Sequence, residues 1–96
     1  MFSNDLVQFI HEPARLQLLL SLVCVKQTDF TFLLNSTGLS RGNLSVQMSK
    51  LKEKELVTIN KMFKNNKSYT VYEITPRGRK TLKRYKKEIL SILEGC

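Results

Sequence analysis

Arg41, Asn43, Val46, Gln47 and Lys50 would lie on the outward face of a helix that starts after Ser40, and together they have a definite chemistry. Arg and Lys donate to the acceptor edge of guanine, Asn and Gln can pair bidentately with adenine, and Val can meet a thymine methyl. The set therefore suits the floor of a DNA major groove. Asn43, Gln47 and Lys50 follow helical spacing, which stacks them along one line. Ser40, Ser45 and Ser49 lie alongside with hydroxyls suited to phosphate oxygens, contacts that set register without reading sequence. Gly42 in the first turn has two readings: close approach of the backbone to phosphate or base edges, or the ordinary tolerance of helix N-termini for glycine. A solvated helix face is polar in any protein, but such faces favour Glu/Lys pairs, and no acidic residue follows Ser40 until Glu53.

These side chains need a helix that is held from behind. Leu44, Met48 and Leu51 fall at i, i+4 and i+7 and predict its buried seam. Upstream, the turn Thr37-Gly38-Leu39-Ser40 is short and contains glycine, as helix-turn-helix junctions do. Thr31 is expected to cap a brief helix over Phe32–Ser36, after a β-like link at Thr28–Phe30. Before that, Pro13 opens a helix from Ala14 to about Val25, with Leu16, Leu19, Leu20 and Val23 expected as its core face. The first ten residues read as a short helix with apolar Phe2, Leu6, Phe9 and Ile10, capped by Asn4 or Asp5 and broken at His11-Glu12-Pro13.

Downstream, Val57–Phe63 and Tyr69–Ile74 are rich in β-branched and aromatic residues and flank a turn-forming loop, KNNKS at 64–68. Thr75 caps and Pro76 opens a last helix that runs to about Leu93. Its stripe is Leu82, Tyr85, Ile89 and Ile92, widened by Leu93. A single domain of this size is not expected to cover that near-heptad seam alone.

The order of these elements across residues 11–85 resembles the winged helix-turn-helix of MarR-like and ArsR-like transcriptional regulators, and of small stand-alone winged helix DNA-binding domain proteins. The resemblance implies a mainly α fold with a small β-hairpin (α+β): one domain over 1–96, a winged-helix core at about 11–75, and flanking helices at 1–10 and 76–94. It implies a homodimer bound to double-stranded DNA as a transcriptional regulator. The wing Lys64, Asn65, Asn66 and Lys67 would lie at phosphates or the minor groove, although the asparagines have turn-building as their simpler role. Arg77 and Arg79 stand near the base of the wing and are candidate phosphate contacts; the other cations of the last helix read as a solvated face. The dimer interface implied by related regulators takes Phe2, Leu6 and Phe9 with Leu82, Tyr85, Ile89, Ile92 and Leu93.

Charge agrees with a polyanionic partner. Residues 1–49 balance Arg15, Lys26 and Arg41 against Asp5, Glu12 and Asp29, so the net +8 of the chain sits wholly in residues 50–96. The longest apolar run, 16–25, is too short to span a bilayer core of ~30 Å. The N-terminus MFSND has no basic n-region, so no signal peptide and no membrane partner are expected. Cys24 and Cys96 belong to no CxxC or Cys/His cluster, which points to free thiols in a cytoplasmic protein with no metal and no cofactor. His11 is the single histidine, and its position before Pro13 suits helix entry better than metal ligation. No nucleophile elbow, phosphate-cradling glycine loop or usefully spaced carboxylate pair supports an enzyme. Two other readings use the same fold: a protein–protein interaction module, disfavoured by Arg41, Gln47 and Lys50, and an effector- or metal-responsive repressor, for which no ligand set is visible.

One position departs from the family pattern. Related regulators commonly place Gly before the apolar pair that follows the recognition helix, and this chain has Glu55 before Leu56-Val57. A left-handed cap at Glu55 would cost ~1 kcal/mol or more relative to glycine.

Overall fold

The computed structural model describes residues 2–96. Among them the elements run α1 (Asp5–Ile10), α2 (Pro13–Val23), α3 (Phe30–Thr37), α4 (Arg41–Glu53), β1 (Val57–Lys64), β2 (Lys67–Ile74) and α5 (Pro76–Glu94). This is the expected winged-helix order. Helix starts follow local capping chemistry: Asn4 accepts from the Val7 amide, Glu12 from Ala14 and Arg15, Ser40 from Asn43, and Thr75 from Gly78.

Three local expectations are corrected. Helix α2 ends at Val23, and it buries Ala14, Leu18, Leu19 and Leu22 rather than the expected Leu16, Leu19, Leu20 and Val23. Leu20 is 48% exposed, and Leu16 and Val23 are half-buried. The run LLLSLV offers an apolar face in more than one phase, so its neighbours decide which face turns inward. Helix α3 begins at Phe30, because the Asp29 carboxylate caps it by accepting from the Phe32 amide (2.8 Å); Thr31 lies inside the first turn. The hairpin loop is shorter than KNNKS. Lys64, Lys67 and Ser68 belong to the strands, and only Asn65 and Asn66 turn the chain, with φ of 53° and 61°. A two-residue turn with both φ positive matches the right-handed twist of a hairpin, and asparagine tolerates it.

The hairpin pairs Val57 with Ile74 through to Lys64 with Lys67. Its base is extended by Thr28, whose amide and carbonyl exchange hydrogen bonds with Tyr72 (3.0 and 2.8 Å). The core gathers Ile10, Leu18, Leu22, Leu33, Leu44 and Met48 with the hairpin base. Leu44, Met48 and Leu51 of α4 are at most 1% exposed, as their spacing predicts.

The junction of α4, β1 and α5 is tightly specified. Glu55 is left-handed (φ 60°), the Leu56 amide donates to the Leu51 carbonyl (3.0 Å), and the Glu55 amide donates to Lys52 (2.9 Å). This is a Schellman cap, and its accompanying apolar contact is supplied by buried Leu51 and Leu56. Glutamate accepts the conformation because the start of α5 locks it: Thr75 Oγ1 donates to the Glu55 carbonyl (2.8 Å) and Arg77 Nε to the Lys54 carbonyl (3.1 Å). Gly78 is also required here. A Cβ on it would collide with the Leu56 carbonyl oxygen and come within 2.8 Å of Ile74 Cγ1.

Candidate nucleic-acid interface

Helix α4 is fixed from behind by its apolar seam and from both ends by caps, so its outer face is rigidly presented. Arg41, Gly42, Asn43, Ser45, Val46, Ser49 and Lys50 are all exposed on it. Val46 is 50% exposed, an apolar side chain standing among polar ones. A Cβ at Gly42 would meet nothing within 4 Å, so the packing of the fold does not demand glycine there. Ser40 spends a lone pair on the Asn43 amide (3.1 Å) and keeps its hydroxyl proton for an acceptor. Arg41 lies near the Phe30 ring, 5.6 Å from its centroid, which ties the start of α4 to α3.

Gln47 is half-buried and engaged on both sides. Arg15 Nε of α2 donates to its Oε1 (3.0 Å), and its Nε2 donates to Asn43 Oδ1 (3.2 Å). Arg15 is itself held: Nη1 donates to the Phe9 carbonyl (3.0 Å), the guanidinium sits 4.2 Å from the Phe9 ring centroid, and Glu12 Oε2 lies 3.8 Å from Nε. Sequence reasoning missed Arg15. Its signal was a lone cation near the start of an otherwise apolar helix, where a charge needs a partner.

The wing stands beside α4, since β1 packs on that helix. Lys64 and Lys67 face each other across the last pair of the ladder, with Lys61 further down, and all three are exposed. Among them stand Phe63, Met62 and Tyr69, which are 73%, 45% and 44% exposed. These residues are strand formers whose side chains lie past the end of the core. Arg77 and Arg79, the expected phosphate contacts, each spend a donor on the chain itself: Arg77 on Lys54 and Arg79 on the Val23 carbonyl (3.4 Å). Both remain exposed with further N–H groups available.

The expected interface residues divide into two groups. Leu82 is a core residue of its own chain, 9% exposed. Phe2 and Tyr85 are stacked together (centroids 5.6 Å apart), and the Tyr85 hydroxyl is 2.9 Å from His11 Nδ1. Leu6 and Phe9 pack partly against the core. Ser3 clamps α1 to α5: its amide and hydroxyl donate to the Glu88 carboxylate (2.8 and 2.7 Å), which also accepts from Arg84 (3.0 Å). These bonds, Ser3 first and Arg84 after, hold the Glu88 carboxyl below its ordinary pKa. The second group is only partly covered: Leu93 is 66% exposed, and Ile89 and Ile92 are half-buried. Leu90, outside the expected set, is 46% exposed and lines a groove of about 890 Å³ with Ile89 and with Leu16, Leu20 and Val23 of α2.

Among the described residues no three His, Cys, Asp or Glu side chains gather as metal ligands, and no helix is long and apolar enough to cross a membrane.

A basic helix presented by a helix-turn-helix, with a lysine-tipped hairpin beside it, is the architecture of a winged helix. The family model described as "Winged helix DNA-binding domain" matches residues 14–93, and the chain belongs to that family. Among solved structures it is similar to a transcriptional regulator homologue protein from Pyrococcus horikoshii OT3, with 25% identity, TM-score 0.84, and 92% of this chain and 87% of that one covered. It shares its fold with diamide-treated YodB from B. subtilis (12% identity, TM-score 0.84, covering 94% and 88%). The same holds for the transcriptional repressor BigR from Xylella fastidiosa (23% identity, TM-score 0.67, covering 84% and 80%). No curated protein sequence matches the chain.

Proposed function

We propose that this winged helix DNA-binding protein is a homodimeric, sequence-specific transcriptional regulator of the cytoplasm. Helix α4 enters the major groove, and the wing reaches the backbone and minor groove. The observation that carries this reading is the outer face of α4: donor-rich, without acidic side chains from Arg41 to Lys52, and held rigid by a seam that is wholly buried. The wing lysines extend the same positive surface, and Arg77 and Arg79 retain donors for phosphate. The similarity to a transcriptional regulator homologue supports the regulatory role. Dimerisation is supported by the uncovered part of α5 together with Leu16 and Leu20, an apolar surface that a second copy would bury. Exposed, free Cys24 and Cys96 suit a reducing compartment.

Selection of bound sequences from a random duplex pool tests the reading. A dimer should enrich two half-sites about 34–36 Å apart, one helical turn. Lys64→Ala or Lys67→Ala should weaken binding to every sequence alike and lower the slope of log K against log salt by ~1 per subunit. Asn43→Ala or Gln47→Ala should leave that slope nearly unchanged and relax preference at particular base pairs. Failure to enrich any motif would favour a protein-interaction role instead.

A further inference from the structure

We propose that Phe63, near the tip of the wing, is a wedge that enters the DNA minor groove, opens a base step and bends the duplex. The proposal rests on the DNA-binding role argued above and adds how the wing selects a site without hydrogen-bonding to bases. Phe63 is 73% exposed, the most exposed of the large apolar side chains among the described residues.

Its place in the hairpin accounts for that exposure. Side chains alternate across a strand, so Val57, Ile59, Lys61 and Phe63 share one face of β1. Val57 is buried, Ile59 is half-buried, and the two beyond them are exposed. The face that packs into the core at the base of the hairpin thus runs out past the core and ends on an aromatic ring. Nor does β2 cover the ring. Phe63 stands opposite Ser68, whereas Met62 and Tyr69 stand opposite each other on the other face and are each under half exposed.

Charge decides what the ring can meet. From Asn60 to Thr70 the hairpin carries Lys61, Lys64 and Lys67 and no acidic residue. A second wing laid on Phe63 would bring these lysines against their own copies. Duplex DNA answers both demands, with a dense negative edge outside and flat apolar base faces within. Lys64 and Lys67 flank the two-residue turn and supply the phosphate contacts. Phe63 has no group to donate to a base edge or accept from one, so it gains only where a base face is uncovered. An apolar wedge between two base pairs in the minor groove uncovers such a face and kinks the duplex toward its major groove. That is the groove in which α4 is proposed to lie, so the kink would fold the DNA onto the recognition helix. The cost of unstacking depends on the step: TA and CA/TG open easily, and A-tracts are stiff. Phe63 therefore makes the wing select a flexible pyrimidine–purine step beside the bases that α4 contacts.

The test uses the full-length protein and the duplex that it selects from a random pool. Wild type should bend that duplex, read by energy transfer between dyes at its two ends, and a pyrimidine–purine step should recur in the selected sites. Phe63→Ala should lose most of the bend and bind roughly tenfold more weakly, the scale of one lost base stack. Its slope of log K against log salt should be unchanged, since no charge is removed. Phe63→Leu, still an apolar wedge, should keep the bend. Replacing the flexible step by an A-tract should weaken wild type roughly tenfold and leave Phe63→Ala unaffected. A substitution at so exposed a site should fold normally. Independently of any variant, 2-aminopurine at the flexible step should brighten when wild type binds, because its base unstacks. Unchanged fluorescence, or a Phe63→Ala that bends DNA as wild type does, overturns the proposal. Loss of self-association or of binding to phosphatidylglycerol vesicles in Phe63→Ala, with the bend intact, overturns it too and assigns the ring to a second copy or a membrane. A selected duplex that stays straight in the wild-type complex sinks the wedge alone, whereas a pool that enriches nothing sinks the DNA-reading role and the wedge with it.

Discussion

Helices α4 and α5 are both basic and both carry an apolar stripe, yet the fold treats them differently. On α4 the stripe Leu44, Met48 and Leu51 is sealed to within 1% exposure, so the helix owes its position wholly to its own chain. On α5 the stripe is sealed at Leu82, half-covered at Tyr85, Ile89 and Ile92, and open at Leu93, with Leu90 exposed beside it. The reason is length. Nineteen residues of helix extend about 28 Å, past the region where α1, α2 and the hairpin base pack against it. One helix is finished by intramolecular packing, and the other presents an unfinished surface.

The comparison breaks most visibly if the two stripes are truncated alike. Leu44→Ala should cost about 2–5 kcal/mol, because it removes buried methyl groups and leaves a cavity. Leu93→Ala should change the stability of the isolated subunit by no more than about 0.5 kcal/mol, as exposed sites do. Denaturant unfolding at low protein concentration reads both. Equal costs would show that α5 packs as completely as α4. Leu93→Lys sharpens the point in sedimentation equilibrium at micromolar concentration: wild type should be dimeric and the variant a folded monomer. A monomeric wild type would mean that the open stripe of α5 is not an assembly surface.

The next effect concerns how the two helices are joined. Gly78→Ala should cost about 1–3 kcal/mol by overpacking, since its Cβ has no room beside the Leu56 carbonyl and Ile74. An unchanged unfolding midpoint would mean that α5 shifts to accept it. A gain is expected at the residue just before Leu56: Glu55→Gly should stabilise by about 1 kcal/mol, because glycine adopts the left-handed cap without steric cost. A loss would show that the exposed Glu55 side chain does more than tolerate its backbone.

The smallest effect is pH-dependent and lies on the outer side of α5. Glu88 has a lowered folded-state pKa, so its unfolded state binds protons more readily. The stability it contributes is present at neutral pH, above the unfolded carboxylate value of ~4.3, and is lost as pH falls through the folded value. Protection of the Ser3 amide, taken relative to its intrinsic exchange rate at each pH, should therefore fall as the carboxylate protonates, and Glu88→Gln should show no such pH-dependent loss. Protection of Ser3 that persists into acid would show that the clamp does not depend on the ionised carboxylate.

Much of this was legible before any coordinates. Ser40, Thr75 and Pro76 announce helix starts because capping is a local hydrogen-bonding problem, solved within three or four residues. Leu44, Met48 and Leu51 announce a seam because polar residues separate them and leave a single helical phase. Asp29 was also legible in principle: a carboxylate three residues before Phe32 is a better cap than the hydroxyl of Thr31, and both follow from the same rule. The phase of α2 was different, since four leucines among the six residues 17–22 fit several faces equally well.

By itself the sequence determined the order of elements, the polarity of the presented helix, the hairpin and the excess positive charge, because each depends on short-range periodicity, capping or composition. Only the tertiary structure decided which leucines of α2 turn inward, why Gly78 must be glycine, and how far the core covers α5. It alone brought Arg15 to Gln47, thirty-two positions apart. These depend on which surfaces meet across the chain. A side chain's type says what bonds it can make, but its neighbours determine which of those bonds are already taken.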